Sequence, residues 1–263
     1  MIPNIIHYCW FGNNPLPELA QKCIASWKKY FPDYETREWN ESNYDVCKIP
    51  YIDEAYKAKK YAFVSDYARF DILYQYGGIY FDTDVEVIKS FDNILQNGGF
   101  MGFEEAGKVN SGLGIGCNAG LGIIGQILQF YSSINFNNSD GSYNLTTVVE
   151  YVTKILKENG LNDKNEIQTL DGLIIYPPEY FAPKSISTGR LKITGNTYSI
   201  HHYDASWVPE KERNYYEFKR KINRLFGKKI GMVVSFPYFI CLNIFLYGFK
   251  TGIKKTADKV KNK

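Results

Sequence analysis

The sequence predicts an α/β fold: a mixed, mostly parallel central sheet of Rossmann-like type, flanked by helices and followed by a basic, apolar helical tail. Three observations carry that expectation. Short apolar runs alternate with helical patterns over the first ninety or so residues, as βαβ units require. A carboxylate pair stands directly behind one apolar run, where open α/β sheets place their ligands. Charge is also divided: residues 210–263 hold 14 Lys and Arg against 4 Asp and Glu, whereas residues 1–209 hold 17 against 24. A basic tail on an acidic body implies an electrostatic partner for the tail itself.

The elements follow in order. Ile5 to Trp10 is a short apolar and aromatic strand, ended by Gly12-Asn13-Asn14-Pro15. Leu16 to Tyr30 reads as an amphipathic helix stopped by Phe31-Pro32-Asp33, and Tyr34 to Trp39 as the second strand. Ala55 to Tyr76 is helical with a break near residues 62–65, where Ser65 or Asp66 is placed to cap the second part. In that part Tyr67, Phe70, Leu73 and Tyr74 share one face, and Gly77-Gly78 ends the helix. Ile79-Tyr80-Phe81 is a buried strand, and Val85 to Ile88 a second extended piece. Residues 97–125 are rich in glycine, which suits strands and close-packed turns, with helices at 123–133 and 145–160 around a polar loop. Leu173 to Tyr176 and Tyr198 to His202 are strands.

The five cysteines, Cys9, Cys23, Cys47, Cys117 and Cys241, lack paired spacing, which argues against a disulfide scaffold or a structural zinc site. The opening Met1-Ile2-Pro3-Asn4 lacks a basic-then-apolar leader pattern, so a cytosolic face is expected. Ile230 to Phe249 is free of charge for twenty residues, with Lys228 and Lys229 before it and Lys250, Lys254 and Lys255 after it. That length just reaches the spanning threshold. Pro237, Asn243 and the basic flanks on both sides favour a segment lying at an anionic membrane surface over one crossing it. A membrane partner is expected there, and no nucleic acid.

The chemistry centres on Asp82-Thr83-Asp84. Two carboxylates one residue apart at a strand end can reach a single hard cation, and Mg²⁺ and Mn²⁺ take such oxygen ligands while leaving positions for substrate phosphates. Upstream, Asp66 and Arg69 are spaced i and i+3 and share a helix face pointed at the strand that follows. Asn110, Ser111 and Asn118, set among glycines, are candidates for an acceptor cleft. Glu104 and Glu105 are the candidates for a further carboxylate, although an adjacent pair is ordinarily solvated. His7 sits on a buried strand and reads as structural.

Phe63-Val64-Ser65-Asp66-Tyr67-Ala68-Arg69, followed by Tyr76-Gly77-Gly78-Ile79-Tyr80-Phe81-Asp82-Thr83-Asp84, resembles the DXD-containing sugar transferases of glycosyltransferase family 32. That family includes bacterial capsular polysaccharide enzymes and yeast α-mannosyltransferases. The opening Ile2 to Gly12 and the block His201-His202-Tyr203-Asp204-Ala205-Ser206-Trp207 are similar to it as well, and like blocks occur in the glucosyltransferase domains of large clostridial toxins.

The resemblance implies a GT-A catalytic domain over residues 1–208, and residues 209–263, which it does not cover, read from their charge and apolar run as a membrane-association segment. It also implies a nucleotide-diphosphate sugar donor (a UDP-sugar is expected), Mn²⁺ or Mg²⁺, and retention of configuration. On it, Trp10 stacks on the base, with Tyr8, Ser65 and Tyr80 beside the donor, while Asp66 and Arg69 grip the sugar. Asp82 touches ribose, sugar or metal-bound water, and Asp84 binds the metal. His201 or His202, with Ser206, completes the metal shell, and Trp207 donates to a phosphate. Strand neighbours face opposite ways, so one histidine is expected to reach the site, with His201 favoured. The expected acceptor is a polyprenyl-linked glycan at the cytoplasmic face of the membrane, in capsular or cell-surface glycan synthesis. Two rival readings are a non-catalytic sugar- or lipid-binding partner and a haloacid-dehalogenase-type phosphatase. The latter needs Thr or Val where this chain has Glu86.

Overall fold

The protein is described from a computed structural model, which covers residues 1–205, 208 and 210–261. Its elements run β1 (Ile5–Cys9), α1 (Glu18–Tyr30), β2 (Glu35–Trp39), α2 (Pro50–Lys57), α3 (Tyr61–Tyr76), β3 (Gly78–Tyr80), β4 (Val85–Val87) and α4 (Asp92–Leu95). Then come β5 (Gly99–Glu105), β6 (Lys108–Asn110), a 3₁₀ turn (Ser111–Leu113), β7 (Ile115–Cys117), α5 (Gly122–Ser132) and α6 (Val148–Glu158). The series ends with β8 (Gln168–Leu170), β9 (Leu173–Tyr176), α7 (Pro178–Phe181), β10 (Ser199–His201), α8 (Glu210–Tyr247) and α9 (Phe249–Lys261). The α/β class is as expected.

The main sheet has the order β2-β1-β3-β7-β5-β9-β8, with β6 paired to β5. β1 lies parallel to β2 and β3, β7 is antiparallel to both β3 and β5, and β9 is parallel to β5. The strands β1, β2, β3, β5 and β9 therefore run one way, and their carboxyl ends share an edge. Cys9, Trp39, Tyr80 and Glu105 are the last residues of four of them.

Side chains alternate across the sheet with the two-residue period of a strand. Ile6, Tyr8, Ile79, Phe81 and Phe100 pack with Cys23, Ile24 and Trp27 of α1 and Phe181 of α7. Cys9, Trp39, Tyr80, Met101 and Phe103 pack on the other face with α2, α3, α5 and α6. Helix α3 is covered nearly all round, with Phe63, Val64, Tyr67, Ala68, Phe70, Ile72 and Leu73 buried, whereas Tyr74 is exposed. The single apolar face expected for it is thus too narrow, because α2 and α5 pack on it besides the sheet. The helix break also falls earlier than expected, at residues 58–60. Ser65 therefore caps nothing: its hydroxyl donates to the Tyr61 carbonyl at 3.2 Å, one turn inside the helix.

A second, two-stranded sheet pairs β4 antiparallel with β10, setting Val85 opposite His201 and Glu86 opposite Ile200. α1 braces this ribbon, as the Trp27 indole donates to the Val85 carbonyl at 2.7 Å and Ser26 accepts from the Val87 amide.

The chain divides into two compact units, Met1–Pro183 with Ile193–His202, and Lys184–Lys192 with Tyr203–Lys263. The second is built on α8 and α9. Gly227, at φ 83°, breaks α8 into two helices, 210–226 and 228–247. These run antiparallel, with Tyr215 against Tyr238 and Phe239, and Lys211 over Phe245. The Asn243 amide donates to Thr256, tying 228–247 to α9.

Candidate active and metal-binding site

The site grows from the end of β3. Asp82 follows the strand, and its amide donates to the Gly112 carbonyl at 3.2 Å, which fixes the turn that carries Asp84. The β4–β10 ribbon returns the chain to this corner: the His202 amide donates to the Asp84 carbonyl at 3.0 Å, and His201 Nε2 lies 3.2 Å from Asp84 Oδ1. Ligand atoms of Asp82, Asp84 and His201 all lie within 4.8 Å of one another. Two carboxylates and one imidazole, partly open to solvent, suit a divalent cation of the Mn²⁺ type.

Alternation along β10 separates the two imidazoles. His202 Nε2 lies 2.8 Å from Glu86 Oε2, and Lys22 reaches the same carboxylate at 3.1 Å. Burial opposes charge on His201, yet the Asp84 carboxylate, with Asp82 and Glu104 behind it, raises the imidazole above its usual value.

Arg69 forms the inner wall. Its guanidinium lies 2.8 Å from Asp66, 3.2 Å from Asp82 Oδ1 and 3.1 Å from the Ser111 hydroxyl, over the Tyr80 ring. The Tyr80 hydroxyl donates to the same Asp82 oxygen at 3.0 Å, so two donors converge on Oδ1. Burial pushes the Asp66 carboxyl up to about 7. Arg69 opposes that shift and Asp82 adds to it. The i, i+3 pair read from the sequence is therefore a buried bridge that holds the first aspartate of the motif.

Trp10 follows β1 at the carboxyl edge, partly exposed, with its indole donating to the Asn14 carbonyl at 2.6 Å. Glu41 secures the same loop by accepting from the Gly12 amide at 2.6 Å and from the Tyr56 hydroxyl. Tyr8 is not brought into this group. Its phase on β1 turns the ring into the α1 face against Trp27, and its hydroxyl donates to Glu38 at 2.7 Å. Among the described residues, Ser65 meets the site through its carbonyl, which accepts from Arg69 Nε at 3.1 Å. Ser206 and Trp207, both expected in the site, lie outside the described residues. Of the acceptor-cleft candidates, Asn110 and Ser111 stand at this corner.

Two parts of the arrangement escaped the sequence reading, the Glu86–His202 pair and the seating of Gly112 against Asp82. A Cβ on Gly112 would collide with Asp82 Oδ2. The glycine-rich stretch was the available signal for the second.

Residues 17–100 match the family described as a glycosyltransferase sugar-binding region containing a DXD motif. Inositol phosphoceramide mannosyltransferase 3 of Schizosaccharomyces pombe is 33% identical over 101 residues, covering 36% of this chain and 27% of that one. Inositol phosphoceramide mannosyltransferase 1 of the same yeast is 29% identical over 111 residues, 38% of this chain and 33% of its own length. This chain thus spans about a quarter to a third of the two yeast relatives it matches. An uncharacterized glycosyltransferase, L373, of Acanthamoeba polyphaga mimivirus is 26% identical over 229 residues, 80% of this chain and 85% of that one. Among solved structures, the PaToxG glycosyltransferase aligns with a TM-score of 0.49 and 20% identity, over 60% of this chain and 69% of that one. Over residues 17–100 the chain is therefore similar to the sugar-binding region of the DXD-containing glycosyltransferases, and over most of its length to a protein named as a glycosyltransferase.

Proposed function

We propose that this chain transfers a hexose, with retention, from a nucleotide-diphosphate sugar, a UDP-sugar in the first instance, to a membrane-borne glycan or lipid acceptor. The observation that carries the reading is the meeting of Asp82, Asp84 and His201 at the edge where β3 ends. Asp84 and His201 would hold Mn²⁺ or Mg²⁺ with Asp82 beside them. A cation there supplies a Lewis acid to the departing diphosphate. Arg69 and Tyr80 hold Asp82 in place, so the carboxylate is oriented before the donor arrives. Asp66 is placed to accept from the sugar hydroxyls, and Trp10 offers a ring beside the same edge for the base. By resemblance, Ser206 and Trp207 complete the phosphate side. The transfer proceeds on one face of the sugar, and the acceptor proton passes to the leaving phosphate oxygen.

The yeast relatives are named for mannosyl transfer to inositol phosphoceramide, which supports a hexose and an acceptor carried on a lipid. The second unit supports a membrane surface as the workplace. Its helix 228–247 turns Gly231, Ser235 and Asn243 inward along with Leu242, and exposes Ile230, Val233, Val234 and Phe245. A water-facing helix has the reverse arrangement. Lysines flank this face, which supports attachment to an anionic leaflet, here proposed to be the cytoplasmic one, in synthesis of capsular or surface glycans.

The purified chain, incubated with UDP- and GDP-sugars and Mn²⁺, should release nucleotide from one donor and stop on addition of EDTA. Silence toward every donor overturns the reading. Asp84→Asn should abolish release while leaving the fold intact by thermal melting.

A further inference from the structure

The hairpin β5–β6 carries a carboxylate that the donor and the metal do not use. Glu105 pairs with Lys108 and Phe103 with Val109, so the register shifts between them and Glu104 is the extra residue of a β-bulge. Bulges are enriched beside active sites, where they re-aim a side chain. Here the re-aimed carboxylate accepts from the Asn110 amide at 2.9 Å through Oε2. Asn110 Oδ1 accepts from the Gly112 amide at 2.7 Å, and the Gly112 carbonyl accepts from Asp82. An unbroken run of hydrogen bonds thus sets Glu104 in fixed relation to the DXD turn. β5 runs in the same direction as β3, so Glu104 stands at the same carboxyl edge as Asp82.

Glu104 is half-buried rather than freely solvated, and its carboxylate is felt electrostatically at His201. Burial raises its pKa against the lowering effect of Asn110. Its second oxygen, Oε1, has no hydrogen-bond partner among the described residues. A carboxylate oriented at this edge, with an oxygen to spare, is the group that a polyhydroxylated acceptor needs.

We propose that Glu104 forms the acceptor side of the site, with Oε1 receiving a hydroxyl of the incoming acceptor and Asn110 holding the carboxylate in place. This rests on the glycosyltransferase reading and adds a residue to it. The acceptor oxygen bonds to C1 of the sugar, and the bond from C1 to the phosphate oxygen breaks with its electron pair going to the phosphate. The proton of the attacking hydroxyl goes to that phosphate, and Glu104 holds a neighbouring hydroxyl of a sugar, or the second hydrogen of water.

Water is therefore a usable probe of this side. With the donor that the wild-type chain turns over, with Mn²⁺ and no added acceptor, Glu104→Gln should lower kcat for nucleotide release about tenfold or more, as loss of positioning does. The donor KM and the Mn²⁺ midpoint should stay within about twofold of wild type, because the lost contact is not on the donor side. The glutamine oxygen can still accept from Asn110, so the melting temperature should hold. Should that variant fold poorly, Glu104→Asp keeps the charge on a shorter arm and should give the same split in milder form. Unchanged kcat in a folded variant overturns the assignment. A fall in kcat accompanied by an equal rise in donor KM or Mn²⁺ midpoint overturns it too, by moving Glu104 to the donor side. A wild-type chain silent toward every donor overturns the glycosyltransferase reading, and this assignment with it.

Discussion

Arg69 is 3% exposed and serves two carboxylates and a hydroxyl at once. A planar fork can do this and a single ammonium cannot. Arg69→Lys should keep the charge but cost about 2–4 kcal/mol, because one ammonium cannot reach both carboxylates and leaves one of them without its partner. Chemical denaturation reads that loss, and nucleotide release should fall with it as Asp82 loses its tether. His7 has the opposite electrostatic character. Trp39 donates to its Nδ1 at 3.1 Å and Nε2 lies 3.0 Å from the Gly77 carbonyl, so the ring is held neutral, and burial lowers its pKa to about 4. The unfolded chain takes up the proton near 6.5 while the folded one does not. The stabilisation is complete above pH 6.5 and drains away as pH falls toward 4, a loss of about 3 kcal/mol. Stability measured across that window should show the slope, and His7→Gln should lose it. At this scale the Asp66–Arg69 pair and the DXD carboxylates were legible, because both depend on spacing along one element. The burial of Tyr8 was not, since Ile5 to Trp10 is apolar or aromatic on both faces and shows no phase.

The ribbon of β4 and β10 shows what elements contribute that residues cannot. Its two strands were each legible as extended pieces, but their pairing joins segments more than a hundred residues apart, and nothing local specifies it. The pairing puts His201, not His202, beside Asp84, and Glu86 with Lys22 then takes up the other imidazole. Helix α3 was misread in one respect for a related reason: a helix packed on several sides loses the one-sided pattern that marks a helix edge. The 3₁₀ turn at Ser111–Leu113 has a sharper consequence. Gly112 lies against Asp82 so closely that a methyl group there must displace the carboxylate. Gly112→Ala should therefore weaken Mn²⁺ binding about tenfold, in the range for residues that orient a ligand. Its melting temperature should fall only slightly, because φ at this glycine is not in the left-handed region. A Mn²⁺ titration followed by heat shift separates the two effects. Unchanged affinity would mean that Asp82 need not keep its place.

For the whole molecule, the division of charge read from composition corresponds to a division of surface. The first unit buries aromatics on both faces of its sheet. The second leaves Leu225, Phe226, Ile230, Val233, Val234, Phe245 and Phe249 exposed, while Asn223, Ser235, Asn243 and Thr256 are buried together with Tyr215 and Leu242. Polar groups inside and apolar groups outside is the distribution expected where the surrounding medium is lipid, since helices in lipid associate through small and polar residues. Gly227 turns the segment back on itself, and the helix 210–226 is too charged to enter hydrocarbon. An arrangement flat against the bilayer accommodates both facts. The length of the uncharged run was legible in the sequence, but the reversal at Gly227 was not, because a glycine inside a helical pattern looks the same whether the helix continues or folds back. Deleting residues 230–263 would strip Tyr215 of its partners, so substitution is the cleaner probe. Val233→Asp with Phe245→Asp places charge on two exposed positions without touching the buried ones. Each lost apolar contact is worth about 1.5–3 kcal/mol if fully buried in lipid, so binding to phosphatidylglycerol vesicles should fall well over tenfold while nucleotide release in solution is unchanged. Raising ionic strength should weaken the wild type in the same assay, because the flanking lysines act through a screened attraction. Undiminished partition of the doubly substituted chain onto those vesicles would move the attachment surface elsewhere.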